Sequence, residues 1–217
     1  MTPLKRVLDI LVLLLLLPIL LPIGCVVAVL VLFIDGRPVF FGQERMRSAN
    51  RPFNLWKFRT MTMDDADAGV SGGNKIARIT KLGRILRRLH LDEIPQMINV
   101  FRGDISLVGP RPPLRQYVDT FPELYAEVLK SRPGLTGMAS FFFGRHELWL
   151  LGQCDTAEET EHVYLNRCIP RKARIDLIYQ KNWRVSLDVW LFWITAMRVL
   201  HLPVGRKPKV AYEEAHR

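Results

Sequence analysis

Two adjacent carboxylates, Asp92 and Glu93, stand inside the stretch RRLHLDEIPQMINVFRGDISLVGPRPP, residues 87–113, with Arg87 and Arg88 upstream and Arg102 and Arg111 downstream. A helix beginning near Pro95, whose fixed φ suits a first turn, would leave both carboxylates by its positive end. Taken alone, an Asp-Glu-x-Pro string is most simply a helix N-cap. The neighbourhood argues for more. Gly109, Pro110, Pro112 and Pro113 stiffen the backbone around the lone Arg111, an expensive arrangement for a plain connector. A rigidly held guanidinium suits a phosphate. Lys57 and Arg59, two residues apart in the FNLWKFRTM stretch from Phe53, would share one face of a strand and suit a diphosphate. The plain alternative for that pair is a solvated basic face.

Several elements must position these groups. Apolar residues alternate from Phe53 through Leu55, with Trp56 and Phe58 breaking the pattern, so a half-buried strand is expected there. Over residues 78–90, Ile79, Leu82, Ile85, Leu86 and Leu89 recur at helical spacing opposite Lys81, Arg84, Arg87 and Arg88. This basic amphipathic helix would lie on an anionic membrane surface or pack on the core, with its C-terminal end aimed at Asp92. Residues 64–73 are acidic and then glycine-rich, as in a loop. Residues 121–131 look helical, and RPGLTG from Arg132 reads as a turn. Phe141, Phe142 and Phe143 read as a core strand or an interfacial patch, and residues 153–164 as a polar excursion away from the site. The amphipathic run over 171–202, rich in indoles, suits a helix lying in a membrane interface. The tail from Gly205 is charged and expected to be loose.

Residues 10–34 carry no charge and as one helix would reach about 37 Å, enough to cross a bilayer. No small-x-small cleavage pattern follows, so the segment is expected to be retained. Pro18 and Pro22 each delete a backbone donor, which predicts a bent or broken helix. Positive charge lies on both flanks, Lys5 and Arg6 before it and Arg37, Arg45, Arg47 and Arg51 after it. That symmetry favours a re-entrant segment with both ends cytoplasmic, although proline-kinked helices also span membranes.

The chain has 217 residues, a net charge of +10 and a pI near 9.9, which call for an anionic partner: nucleic acid, an anionic membrane surface or a phosphorylated substrate. Cys25, Cys154 and Cys168 form no CxxC pair, so neither a disulfide framework nor a structural zinc site is indicated. The five histidines are scattered without ligand spacing.

A series of motifs runs in a set order: Lys5-Arg6 with Asp9, the proline-interrupted apolar run, LWKFRTM from Leu55, LGR from Leu82, LDEIPQ from Leu91 with Asn99, GD from Gly103, LVGPRP from Leu107, RPGLTG from Arg132 and LD from Leu187. Together, over residues 4–200, they resemble the bacterial sugar transferases that are monotopic phosphoglycosyl transferases. Two departures are visible. Leu21 stands before Pro22 where members often carry Ser, and MASFFFGR follows Gly137 where a QVNGR pattern is frequent.

The resemblance implies transfer of a sugar phosphate from a UDP-sugar to a polyprenyl phosphate at the cytoplasmic face of the bacterial inner membrane, through a covalent aspartyl intermediate and with Mg²⁺. It implies a mostly α, α/β fold: a re-entrant membrane helix at 1–36, a catalytic domain resting on membrane lipid at 37–204 and a tail at 205–217. In that scheme Asp92 is the nucleophile and a Mg²⁺ ligand, and Glu93 is either the base for the acceptor phosphate or a supporting group. Lys57, Arg59 and Arg111 contact phosphates and Arg145 the nucleotide. Nucleic acid is not expected as a partner on this reading, and large apolar faces leave room for a homo-oligomer. Two competing readings are a membrane-tethered basic protein that binds nucleic acid and an anchored scaffold whose Asp92 and Glu93 only cap a helix.

Overall fold

The computed structural model describes residues 2–62 and 78–199. The segment at 64–73 and the tail from 205 lie outside the described residues. The architecture is mostly helical with two small sheets.

Helix α1, Pro3–Ile34, begins where Thr2 accepts a hydrogen bond from the Lys5 amide at 3.3 Å, with Pro3 in the first turn. It is long and apolar enough to cross a membrane. Of the expected bend or break, a break is not there, since α1 runs on through Pro18 and Pro22. Those prolines are four apart and both exposed, so the two missing donors fall on one outer stripe and the rest of the helical ladder persists. Lys5, Asp9, Leu13, Val27 and Val31 form the buried stripe, while Leu14, Leu15, Ile19 and Leu21 between them are exposed.

Both ends of α1 are tied to the same body. Near the start, Lys5 pairs with Asp188, Arg6 donates to the carbonyls of Val100 and Phe101 at 2.6 and 2.7 Å, and Asp9 accepts from Ser106 Oγ at 2.7 Å. Near the end, Val27 and Val31 pack with Phe58 and Leu86.

Strands β1, Phe40–Ser48, and β2, Arg51–Phe58, form an antiparallel hairpin, with Phe41 opposite Lys57 and Ser48 opposite Arg51. Helix α2, Lys81–Arg88, is capped by the Thr80 hydroxyl, which accepts from the Gly83 amide at 2.8 Å. It is the expected basic helix: Leu86 is buried, whereas Ile85 and Leu89 are exposed beside the cations. Helix α3, Gln96–Arg102, follows the carboxylate pair. After strand β3, Ser106–Val108, come α4, Arg115–Thr120, and α5, Pro122–Val128.

The turn expected from Arg132 is instead strand β4, Gly134–Thr136, parallel to β3. Glycine explains the difference. A Cβ on Gly109 would sit 2.2 Å from the Arg132 carbonyl oxygen, one on Gly134 2.1 Å from the Gly109 amide and one on Gly137 2.2 Å from the Gly109 carbonyl oxygen. Only bare backbone allows these segments to approach so closely.

The phenylalanine run is likewise not a strand. It opens helix α6, Met138–Leu151, where Phe141 and Phe143 enter the core and Phe141 meets Trp190 edge-on at 6.0 Å. Within the polar excursion lies helix α7, Ala157–Val163, followed by a π-helical turn at Tyr164–Cys168. The last amphipathic run divides into α8, Ile169–Lys181, and α9, Val185–Val199. The main core gathers Leu13, Leu55, Val100, Ile105, Met138 and Leu191 from six elements or connections, so α1 is part of the folded body as well as an apolar segment.

Candidate active site

The reversal that presents the carboxylates begins at His90, which adopts the left-handed conformation with φ 55°. A short 3-10 turn, Leu91–Glu93, then carries both acids, and Pro95 at φ −60° starts α3. No side chain makes a capping hydrogen bond at α3, so helix capping does not account for Asp92 or Glu93.

The strand expected at Lys57 is β2, which points this lysine at the pair. Lys57 Nζ lies 2.8 Å from Glu93 Oε1 and 4.0 Å from Asp92 Oδ2. Arg111 Nη2 reaches the same Glu93 oxygen at 3.5 Å. Glu93 thus takes both cations. Among the described residues no hydrogen bond reaches the Asp92 carboxylate, although it is only 6% exposed.

These surroundings drive the two acids apart. Burial raises the pKa of Asp92 above the ordinary aspartate value, with Lys57 pulling partly back. Burial also works against ionised Glu93, but Lys57 and Arg111 outweigh it and bring that carboxyl down to about 2. Glu93 in turn holds Arg111 more firmly protonated than usual. Neighbouring carboxyls with opposite shifts are a mark of divided chemical roles.

Arg111 sits on the stiff loop inferred from its prolines. The Pro110 carbonyl accepts from Gly134 N at 2.8 Å, the Pro112 carbonyl from Arg45 Nη1 at 3.1 Å and the Pro113 carbonyl from Met46 N at 3.0 Å. Backbone on both sides of Arg111 is therefore locked while its own side chain stays exposed.

Arg59 requires a correction. Its guanidinium donates to the carbonyls of Arg37 at 2.7 Å and Gly36 at 2.9 Å and also to that of Asp35, and the residue is buried. Arg59 closes the C-terminal end of α1, where the last carbonyls lack helical partners. It follows β2 instead of lying within it, so the spacing of two does not place it on the Lys57 face. Arg145 is exposed on α6, with no hydrogen bond or ion pair to the carboxylate group among the described residues.

One positioning residue stood in the sequence only as a motif landmark, with no role assigned to it. Asn99 is fully buried: its Oδ1 accepts from Trp56 N at 3.1 Å, and its Nδ2 donates to the Asn54 carbonyl at 2.8 Å and Asp104 Oδ2 at 3.0 Å. It clamps α3, which begins just after the acids, to β2, which carries Lys57. An amide inside the apolar MINV run was the available clue.

Among the described residues no cluster of three or more His, Cys, Asp or Glu could hold a metal ion by itself. Mg²⁺ does not need such a cage, since it commonly takes one or two carboxylates and fills its shell with phosphate oxygens and water. The Asp92 carboxylate, without a hydrogen-bond donor, fits that mode.

A long apolar helix is packed into the same body as a pair of carboxylates that has a lysine and a fixed arginine beside it. The family described as bacterial sugar transferase matches residues 1–202, and the chain belongs to it. It is 38% identical over 169 residues to the uncharacterized sugar transferase EpsL of Bacillus subtilis, covering 76% of this chain and 71% of that protein. It is 33% identical over 202 residues to a UDP-N-acetylgalactosamine-undecaprenyl-phosphate N-acetylgalactosaminephosphotransferase of Aeromonas hydrophila, covering 90% of this chain and 43% of the relative. A UDP-glucose:undecaprenyl-phosphate glucose-1-phosphate transferase of Escherichia coli is also 33% identical, over 199 residues, 90% of this chain and 40% of the relative. The chain thus spans about two-fifths of the length of these two named phosphotransferases.

Proposed function

We propose that this chain transfers a sugar 1-phosphate from a UDP-sugar to undecaprenyl phosphate, releasing UMP and forming a polyprenyl-diphosphate sugar, the first membrane step in building a glycoconjugate. The observation that carries the reading is the unequal treatment of two neighbouring carboxylates: Glu93 is saturated by Lys57 and Arg111, and Asp92, with Lys57 at 4.0 Å, accepts no hydrogen bond among the described residues. The names of the relatives support the reaction class.

In this scheme an Asp92 oxygen attacks the phosphorus that bears the sugar, and the bond from that phosphorus to the bridging oxygen breaks. The bridging oxygen departs with UMP. An oxygen of the acceptor phosphate then attacks the same phosphorus, and the bond to Asp92 breaks to restore the carboxylate. The anomeric carbon keeps its configuration because no bond to it changes. Lys57 and Arg111 offset the negative charge that would repel an anionic nucleophile from a diphosphate. Bound Mg²⁺, held by Asp92, would supply further neutralisation of the phosphate oxygens.

Glu93, with a pKa of about 2, is a poor proton acceptor near neutral pH. Its role is to hold Lys57 and Arg111 at fixed positions facing the substrate phosphates.

For the membrane arrangement we favour a re-entrant α1 with both ends on the cytoplasmic face of the inner membrane. As a rod α1 is about 48 Å long, yet its first turns grip β3 and α9 while its last turns pack on β2 and α2. Ends held by one body do not lie on opposite sides of a bilayer unless that body crosses too.

The test is incubation of the purified full-length chain with undecaprenyl phosphate, Mg²⁺ and a panel of UDP-sugars, with UMP as the readout. UMP release with at least one donor is expected, together with its loss in Asp92→Asn. Unchanged turnover in a folded Asp92→Asn protein would remove Asp92 as nucleophile, and absence of UMP with every donor would defeat the reaction class.

A further inference from the structure

A cavity of about 330 Å³ lies at the tip of the hairpin, lined by Arg47, Ser48, Arg51, Leu129, Lys130 and Arg132. Four of its six lining residues are cationic and none is acidic. Lys130 is paired with Glu127 at 2.6 Å. Among the described residues, the guanidinium groups of Arg47, Arg51 and Arg132 make no hydrogen bond or ion pair. Unpaired guanidiniums gathered around one hollow repel each other, and a bound anion would relieve that cost.

This hollow is separate from the carboxylate site. Lys57 pairs with Phe41 at one end of the hairpin, and Arg51 pairs with Ser48 at the other. Six residues of extended strand separate Lys57 from Arg51, about 20 Å.

Its surroundings suggest where the anion comes from. A Cβ on Gly103 would lie 3.0 Å from Arg132 Nη1 and 3.4 Å from the Arg6 guanidinium carbon, so these two arginines meet at one point. Arg6 belongs to the first turns of α1, where Leu4, Val7 and Leu11 face outward. Arginine beside the start of a lipid-facing helix sits at headgroup depth. Burial, with Arg47 and Arg6 nearby, also lowers the pKa of Arg132 below its usual value, and Asp9 and Asp104 restore it only in part.

We infer that this cavity is a second anion site that takes a phosphate group, with the headgroup phosphate of an anionic phospholipid as the favoured source. The site rests on residues outside the transferase chemistry, so it stands or falls separately from the proposed reaction.

The test uses the full-length chain, freed of lipid in a neutral detergent, with native mass spectrometry as the readout. One arm titrates phosphatidylglycerol and the other inorganic phosphate. The variants are Arg51→Ala, Arg47→Ala/Arg51→Ala and, as a control for general loss of charge, Arg171→Ala/Arg174→Ala. Each removed arginine should weaken phosphatidylglycerol retention about fivefold, and the double variant about 25-fold. Arg51 is exposed, so the single variant decides the matter if the double variant fails to fold. Variant-sensitive binding of phosphatidylglycerol alone assigns the site to a headgroup, and variant-sensitive binding of inorganic phosphate assigns it to a free anion. Retention that falls no further in the hairpin variants than in the control, in both arms, overturns the site.

Discussion

Replacing Glu93 by Gln removes the charge that holds Lys57 and Arg111 while nearly preserving side-chain shape. The folded protein brings this carboxyl from an ordinary 4.5 down to about 2, and at about 1.4 kcal/mol per unit that is roughly 3 kcal/mol favouring the ionised, folded form. A depressed carboxyl pKa stabilises above the unfolded value of 4.5, and the effect is lost as pH falls toward 2. Glu93→Gln should therefore be about 3 kcal/mol less stable than the parent at pH 7. The gap should narrow by about 2 kcal/mol by pH 3, where the unfolded carboxyl is protonated and the folded one is only partly so. Denaturant unfolding of both proteins in the same detergent at pH 7, 5, 4 and 3 measures the gap. A gap that stays constant across this range would refute the assignment of Glu93 as the ionised anchor of the two cations. The variant should also lose turnover at neutral pH, because neither cation would keep its place.

Arg59→Ala should cost about 3 kcal/mol of stability through loss of charged hydrogen bonds at the end of α1, with KM for the donor unchanged; a raised KM without loss of stability would return Arg59 to the phosphates. Gly134→Ala should destabilise by at least about 2 kcal/mol, since its Cβ would press on the Gly109 amide. Gly144→Ala, in α6 with no atom within 4 Å of the new methyl, should be neutral or stabilise by up to about 1 kcal/mol, as thermal unfolding can compare. In a variant without Cys25, Cys154 and Cys168, single cysteines placed at Thr2 and Ser48 should both resist an impermeant thiol reagent applied outside intact cells. Labelling at only one of them would refute the re-entrant arrangement.

Sequence periodicity served well where one local interaction dominates. The helix at 81–88 announced itself by its apolar stripe, and the stiffness around Arg111 was legible from the prolines that surround it. It served poorly where long-range contacts decide. Three consecutive phenylalanines suit a strand by propensity, but Trp190 and the main core draw Phe141 and Phe143 in from one helix. Arg59 looked like a partner for Lys57 because their spacing assumed a strand that in fact ends at Phe58. Its true partners are carbonyls at the end of α1, which no local pattern connects to it. For the same reason RPGLTG concealed a strand: its glycines serve close contact with a segment more than twenty positions earlier.

The buried stripe on α1 bears on how this protein can be handled and how its family can vary. Leu13 fills the main core, Asp9 receives the Ser106 hydroxyl and Lys5 neutralises Asp188. Cutting the chain after the apolar segment would open a trench through the remaining domain and take from Asp188 its cationic partner, leaving it the Tyr179 and Trp183 donors alone. A water-soluble version made by simple truncation should therefore aggregate instead of fold. Exchanging this helix for another hydrophobic anchor would work only if the replacement carried the same inward-facing residues at the same intervals.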